Sequence, residues 1–385
     1  MPDSYIRPTM TELALGVRDR GGSSGAVAEV PGSARLALEA VVARALTSGP
    51  TFVSFSGGRD SSAVLATAVH VARERNLPLP RPIILRYPGD RDSDETEWQE
   101  LVLGHLGIDD PIVLELDTPP TYLDADTQAN LRRRGLLFPP ALQLKDHIRP
   151  LASGGMLLTG EGGDEILGPH RITPLTLLVK YRRRPSRTLL SWTLEEVAPG
   201  RTRRAARATI ARSPWLTEKA RAMLRHDLRS AAKTPLHWGE QTKSMVTGRI
   251  THDLTHNLQL LADEHDVTYV HPLQSPEFTS ALAREGGRWG YAGRTDLMRH
   301  LFADLLPDEL LARSTKAHFG SVRWGAQERR FAETWDGDGL STELFDVERL
   351  RAEWLSERPA GASALPLHAA WLHSQGLPWE GASHA

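Results

Sequence analysis

Cysteine is absent from this 385-residue chain. That removes disulfides, Cys-ligated zinc, iron–sulfur clusters and every thiol nucleophile together. A chain without thiols also tolerates any redox poise. Lysine is scarce: the 46 basic residues comprise 40 arginines and only Lys145, Lys180, Lys219, Lys233, Lys243 and Lys316. Any lysine in a chemically apt place is therefore weighed individually. Neither sign of charge is in excess, since the formal net charge is -2, so no globally basic surface exists to grip nucleic acid or an anionic membrane. Long hydrophobic runs are missing too. The most apolar helical stretch, ARLALEAVVARAL, is interrupted by Arg35, Glu39 and Arg44, and nothing spans a bilayer. The start, MPDSYIRPTM, lacks a basic region followed by an apolar one, so no secretory signal is visible. The expectation is a soluble, cytoplasmic protein.

What is present has a globular balance, with 40% hydrophobic and 24% charged residues. Residues 1–33 carry Gly, Ser and Pro clusters without periodicity and read as a loose, flexible N-terminal arm. From Ala34 to Leu46 the apolar spacing suits a helix. Short apolar runs then alternate with helical patterns. TFVSFS (51–56), RPIILRY (81–87), PIVLELD (111–117) and GMLLTG (155–160) read as strands. Helices are expected over 60–75, 94–106 and 140–151. This alternation predicts an α/β fold with a parallel sheet, helices on both faces, and ligands at the carboxyl ends of the strands. After Gly168 the pattern becomes helical without strands, and the boundary between an α/β half (34–170) and a helical half (171–385) is expected near residue 170. No repeat shows at a solenoid period.

The strongest local signal is SFSGGRDSS, from Ser54 to Ser62, at a strand-to-helix junction. Gly57 and Gly58 let backbone N–H groups approach an anion closely. Ser54, Ser56, Ser61 and Ser62 add hydroxyls, and the helix N-terminus adds its positive dipole end. Asp60 offers a hard carboxylate for Mg2+ bridging to phosphate oxygens. No Gly-Lys dipeptide occurs, so this is not a Walker A loop. The segment resembles the S-G-G-x-D-S loop of the PP-loop ATP pyrophosphatases, whose members cleave ATP between the α- and β-phosphates.

A second loop, LLTGEGGDEILG (157–168), sets Glu161, Asp164 and Glu165 among Gly160, Gly162 and Gly163. An acidic N-cap explains one carboxylate but not the glycines. Two acids at the mouth of a parallel sheet suit metal binding and proton management. The string resembles the G-E-G-S-D-E-L-F-G-G-Y loop of the asparagine synthetase family. ILRYPGDRDSDETEW, with Arg86, resembles that family's base-holding segment. LMRHLFADLLPDELLARSTKAHF resembles its L-L-R…L-L-P…R-x-K-x-x-F segment, with Lys316 at the lysine. The likeness covers about residues 34–330. It implies ATP and Mg2+ as cofactors, Asp60 and Asp164 as metal ligands, and Glu161 as the acid–base residue near the acyl centre. Lys316 is implied as the cation over the transition state.

The departures carry information as well. That family's glutaminase nucleophile is an N-terminal Cys, and here there is none, so ammonia from glutamine calls for a separate glutaminase. LGPH (167–170) stands where the family has F-G-G-Y, and VHPLQS (270–275) stands for R-V-P-F-L-D. Both lie where an aspartate substrate would be held. Branches similar in their two loops, the β-lactam synthetases and lasso-peptide macrolactam synthetases, join a carboxylate to another amine. The expectation is an amide ligase acting on a small-molecule or peptide carboxylate and an amine donor, with a glutaminase or peptide-processing partner. Ammonia-dependent asparagine synthesis and a silent binding subunit are the alternatives. His252 and His256, without an intervening Glu, read as a solvated helix face, as do the arginines between 182 and 212. A nucleic-acid partner is disfavoured.

Overall fold

Five short apolar runs assemble into one sheet: β1 (Thr51–Ser54), β2 (Arg81–Arg86), β3 (Ile112–Glu115), β4 (Met156–Leu158) and β5 (Thr268–Val270). The computed structural model describes residues 4–16, 32–88, 94–144, 146–197, 201–230, 236–315 and 323–379. All strand pairs are parallel and the order is β3-β2-β1-β4-β5. Val53 of β1 lies opposite Pro82 on one side and Leu158 on the other, and it is fully buried. Burial of the central strands β1, β2 and β4 goes with their reading as apolar runs, whereas the edge strand β3 leaves Val113 exposed. The chain steps outward from β1 to β2 and β3, then returns to the other flank of β1 as β4. The direction of winding therefore reverses between β1 and β4, and their carboxyl ends open onto a crevice.

The helices are α1 (Met10–Leu15), α2 (Ala34–Ser48), α3 (Arg59–Glu74), α4 (Thr96–Leu106), α5 (Ala125–Arg134) and α6 (Gly163–Ile166). There follow α7 (Thr173–Val179), α8 (Arg187–Val197), α9 (Arg201–Arg212), α10 (Glu218–Ser230), α11 (Trp238–Thr247) and α12 (Arg249–Asp263). The last are α13 (Pro276–Gly286), α14 (Arg294–Phe302), α15 (Asp308–Leu311), α16 (Ala326–Thr334), α17 (Val347–Trp354) and α18 (Ala364–Ser374). Among the described residues no helix is long and apolar enough to cross a membrane. One core joins the sheet to α2, α3, α13 and α14 through residues such as Leu38, Val64, Phe278 and Phe302. A second gathers Trp215, Trp324, Trp335, Trp354 and Trp371 with α5 and α18.

Three expectations need correction. The helical half contributes a strand: β5 pairs with β4, Leu158 lying opposite Val270. Residues 4–16 of the arm are not loose. Thr9 and Glu12 form a capping box on α1, Leu13 and Leu15 enter the tryptophan-rich core, and Asn257 exchanges two 2.8 Å hydrogen bonds with the Ile6 backbone. Residues 140–151 form two 3-10 turns, Pro140–Leu144 and Arg149–Ala152, in place of a helix. Pro139 precedes the first and Pro150 sits inside the second, and neither can donate a backbone hydrogen bond. Each of the two cores draws on residues from both sides of residue 170. Leu131 and Leu144 join the second core, while Trp238 and Phe278 join the first.

Candidate active site

The phosphate loop leaves β1 and enters α3 as its sequence implies. Gly57 has φ of 83°, and a Cβ there would stand 3.0 Å from Gln99 Cγ, so only glycine fits the turn. Ser61 Oγ lies 3.1 Å from Ser56 Oγ and accepts from the Ser56 N–H at 3.2 Å. Ser62 Oγ donates to the Gly58 carbonyl at 2.8 Å. The hydroxyls thus hold the loop against the first turn of α3, with Ser56 exposed and Ser62 buried. Ser54 closes β1 opposite Ile83. Arg86, at the end of β2, donates to Gln99 Oε1 at 2.9 Å, and Gln99 Nε2 donates to the Ser56 carbonyl at 3.3 Å. Through α4, then, Arg86 is coupled to the loop.

The acidic loop leaves β4 and packs directly on this one. A Cβ on Gly160 would lie 2.8 Å from the Ser61 nitrogen, and one on Gly163 would lie 2.3 Å from Asp60 Cγ. Gly162, at φ of 82°, is the N-cap residue before α6 and lies against Gln274, where a Cβ would sit 2.0 Å from Cγ. The glycines are explained by these contacts: they let two backbones and the Asp60 carboxylate close on one another. The Glu161 N–H donates to Thr159 Oγ1 at 3.3 Å, and that hydroxyl bonds His271 Nδ1 at 2.7 Å. The VHPLQS segment is therefore the wall beside Glu161. LGPH behaves differently. His170 is buried, bonded to Thr242 Oγ1 at 3.1 Å and packed on Trp238, so it is a structural residue rather than part of the crevice.

Asp60 and Asp164 are brought to a single guanidinium. Arg294, the first residue of α14, donates through Nη2 to Asp60 Oδ1 and through Nη1 to Asp164 Oδ1. Burial pushes Arg294 toward losing its proton, but Asp60 and Asp164 outweigh it and hold the guanidinium charged. Nearby, Glu165 is raised above the usual carboxylate range, first by desolvation of its carboxyl and then by the charges of Asp164, Glu161 and Asp60. Negative charge is concentrated here. Among the described residues no group of three or more His, Asp or Glu side chains is placed to hold a metal. The pair Asp60 and Asp164 nevertheless suits a hard divalent cation that takes its other oxygens from phosphate and water.

Lys316 lies outside the described residues, but the segment leading to it is fixed. Arg313 forms a buried ion pair with Glu95, its Nη2 2.6 Å from Oε1, and stacks 4.5 Å from the Trp98 ring centroid. It also reaches the Gly57 carbonyl at 3.4 Å. Arg294, Gln99 and Glu95 were not legible as site residues, since each acts through a partner remote in sequence. Arg313 had one weak signal, an arginine three residues before Lys316 where the family's R-x-K pattern has its arginine two before the lysine. The His252 and His256 rings stack 6.4 Å apart, with His256 Nε2 3.1 Å from the Ser4 carbonyl, which agrees with a helix surface.

A family model described as asparagine synthase matches residues 33–374. No curated protein matches the chain.

Proposed function

The chain belongs to the asparagine synthase family, and from that premise we propose that it is an Mg2+-assisted ligase that activates a peptide or other natural-product carboxylate with ATP and joins it to an amine. At the family level this is an ATP-dependent carbon–nitrogen ligase. The observation that carries the finer reading is the closure of the phosphate loop on the acidic loop, which sets Asp60 beside Asp164 and Gly163 at the β1/β4 crevice. A carboxylate other than aspartate is favoured because VHPLQS walls the Glu161 side in place of the family's R-V-P-F-L-D.

The chemistry divides among named groups. The phosphate-loop N–H groups, Ser56 and Ser61 would orient the triphosphate so that a substrate carboxylate oxygen attacks the α-phosphorus. Pyrophosphate leaves with the bonding electrons of the broken P–O bond, and an acyl-adenylate remains. Mg2+ between Asp60 and Asp164 would neutralise phosphate charge. The amine then attacks the acyl carbon and AMP departs, while Glu161 accepts the proton the nitrogen sheds. Lys316 would stabilise the oxyanion formed in that attack.

The test is an incubation with ATP, Mg2+, ammonia or amines, and candidate peptides and amino acids, followed by mass spectrometry. AMP and pyrophosphate should appear in equal amounts with an amide product. Release of ADP and inorganic phosphate would sink the assignment, and asparagine from aspartate and ammonia would replace the substrate reading. Glutamine alone should support no turnover, because the chain has no thiol to hydrolyse it.

A further inference from the structure

We propose that Arg294 is a resident counter-cation for the two metal carboxylates, and that Mg2+ binds only by displacing it. The inference rests on the reading of Asp60 and Asp164 as metal ligands. Asp60 lies in the first turn of α3 and Asp164 in α6, on different loops. One guanidinium spans both, giving one Nη donor to each carboxylate. Its side chain is 17% exposed, as is that of Asp60, so that half of the bridge is shielded from salt and water, whereas Asp164 is 47% exposed and reaches solvent. The fork of Arg suits this bridging as no ammonium would.

Arg294 engages one oxygen of each carboxylate, so a divalent ion held by the same two carboxylates would lie close to the guanidinium. Like charges at such separation repel, strongly so in a partly dry crevice. Binding of Mg2+ therefore requires that Arg294 give up two charge-assisted hydrogen bonds. Arg294 also has a donor to spare, since its Nε is buried without a hydrogen-bond partner among the described residues. Phosphate oxygens are the acceptors its fork fits best. Arg294 is thus a positioning residue. It keeps Asp60 and Asp164 paired before substrate arrives and turns to the nucleotide when the metal enters with it. The chain should take Mg2+ together with ATP and bind the free ion weakly.

The experiment measures Mn2+ as the probe for this site, by paramagnetic titration of the full chain without nucleotide. Arg294→Met should raise Mn2+ affinity at least about tenfold, the scale of freeing two charge-assisted hydrogen bonds. Unchanged or weaker Mn2+ binding in the folded variant overturns the proposal. Should Arg294→Met not fold, Arg294→Lys decides, because a single ammonium nitrogen lacks the fork that gives each carboxylate its own donor nitrogen. A rise of about threefold is expected there, and none would overturn it. Asp60→Asn separates the two ideas. If Mn2+ binding does not depend on Asp60, the metal reading itself fails. If it depends on Asp60 but is indifferent to Arg294, only the competition fails.

Discussion

Arg313 and Glu95 form a forked ion pair that is almost fully buried, with side chains 5% and 8% exposed. The pair ties the segment before Lys316 to the start of α4, and its Nη1 donates to the Gly57 carbonyl of the phosphate loop. Three sequence-remote pieces of the crevice are thereby held in one arrangement.

Breaking this pair on one side should be costly. Arg313→Met leaves the Glu95 carboxylate buried without its partner, a loss of about 3–5 kcal/mol. Removing both charges with Arg313→Met and Glu95→Leu should recover much of that stability, because a buried pair gains little over well-packed apolar side chains. ATP affinity should stay low in the double variant, since the Gly57 tether is gone. Urea unfolding and nucleotide titration report the two effects separately. A single variant with a wild-type unfolding midpoint would show that the pair does not hold the crevice.

Two buried histidines set an acid limit on stability. Burial lowers the pKa of His170 to about 4, slightly offset by the Gly168 carbonyl, and lowers that of His368 to about 4 against a bond to the Tyr122 carbonyl. Unfolded, each titrates near ~6.5. The unfolded chain therefore holds more protons between these values. Stability is full above ~6.5, falls as pH drops, and stops falling on their account near 4. Each contributes roughly 3 kcal/mol over that window. His170→Gln and His368→Gln should flatten the fall relative to wild type in urea titrations at pH 7, 5.5 and 4.5. Parallel curves for variant and wild type would refute the assignment.

The first four strands were legible because each is a short apolar run bounded by turn residues, and the two glycine loops because their composition has no other use. β5 was not. Its TYV has only three residues and follows the helical pattern of α12, so nothing local marks it as a strand; it exists because β4 offers an unpaired edge. α1 escaped notice because its six residues are held by the distant second core rather than by propensity. Arg294 belongs to the same class. Its partner Asp60 is 234 residues away, and no periodicity encodes a contact of that kind.

Lys316, which the resemblance places over the transition state, is tested by a separation of steps. When an amine attacks an acyl-adenylate, the carbonyl oxygen gains charge that a fixed cation stabilises more than the ground state. Lys316→Ala should leave a folded chain that binds ATP and still forms acyl-adenylate. Amide formation should slow at least ~100-fold, the scale of one lost oxyanion donor. Single-turnover assays following both species show it, and amide formation within a few-fold of wild type removes Lys316 from the catalytic set.

Gly163 gives the sharpest steric test of loop closure. It is the first residue of α6, buried, and its missing Cβ is what lets Asp60 lie against the acidic loop. An alanine methyl would stand 2.3 Å from Asp60 Cγ and 2.6 Å from Oδ1. Contacts this short cannot be kept, so either the Asp60 side chain turns away or the two loops separate. Alanine costs nothing in the helix itself and is the better helix former, so the variant should fold. Both movements take a carboxylate out of the shared arrangement with Asp164 and Arg294. Gly163→Ala should therefore weaken Mg2+-dependent ATP binding at least about tenfold, while thermal unfolding shifts by only a few degrees. Gly104, in α4, has nothing within 4 Å of its would-be Cβ and supplies the control. If Gly163→Ala binds Mg2+ and ATP as well as Gly104→Ala does, the close approach of the two loops is not what builds the nucleotide site.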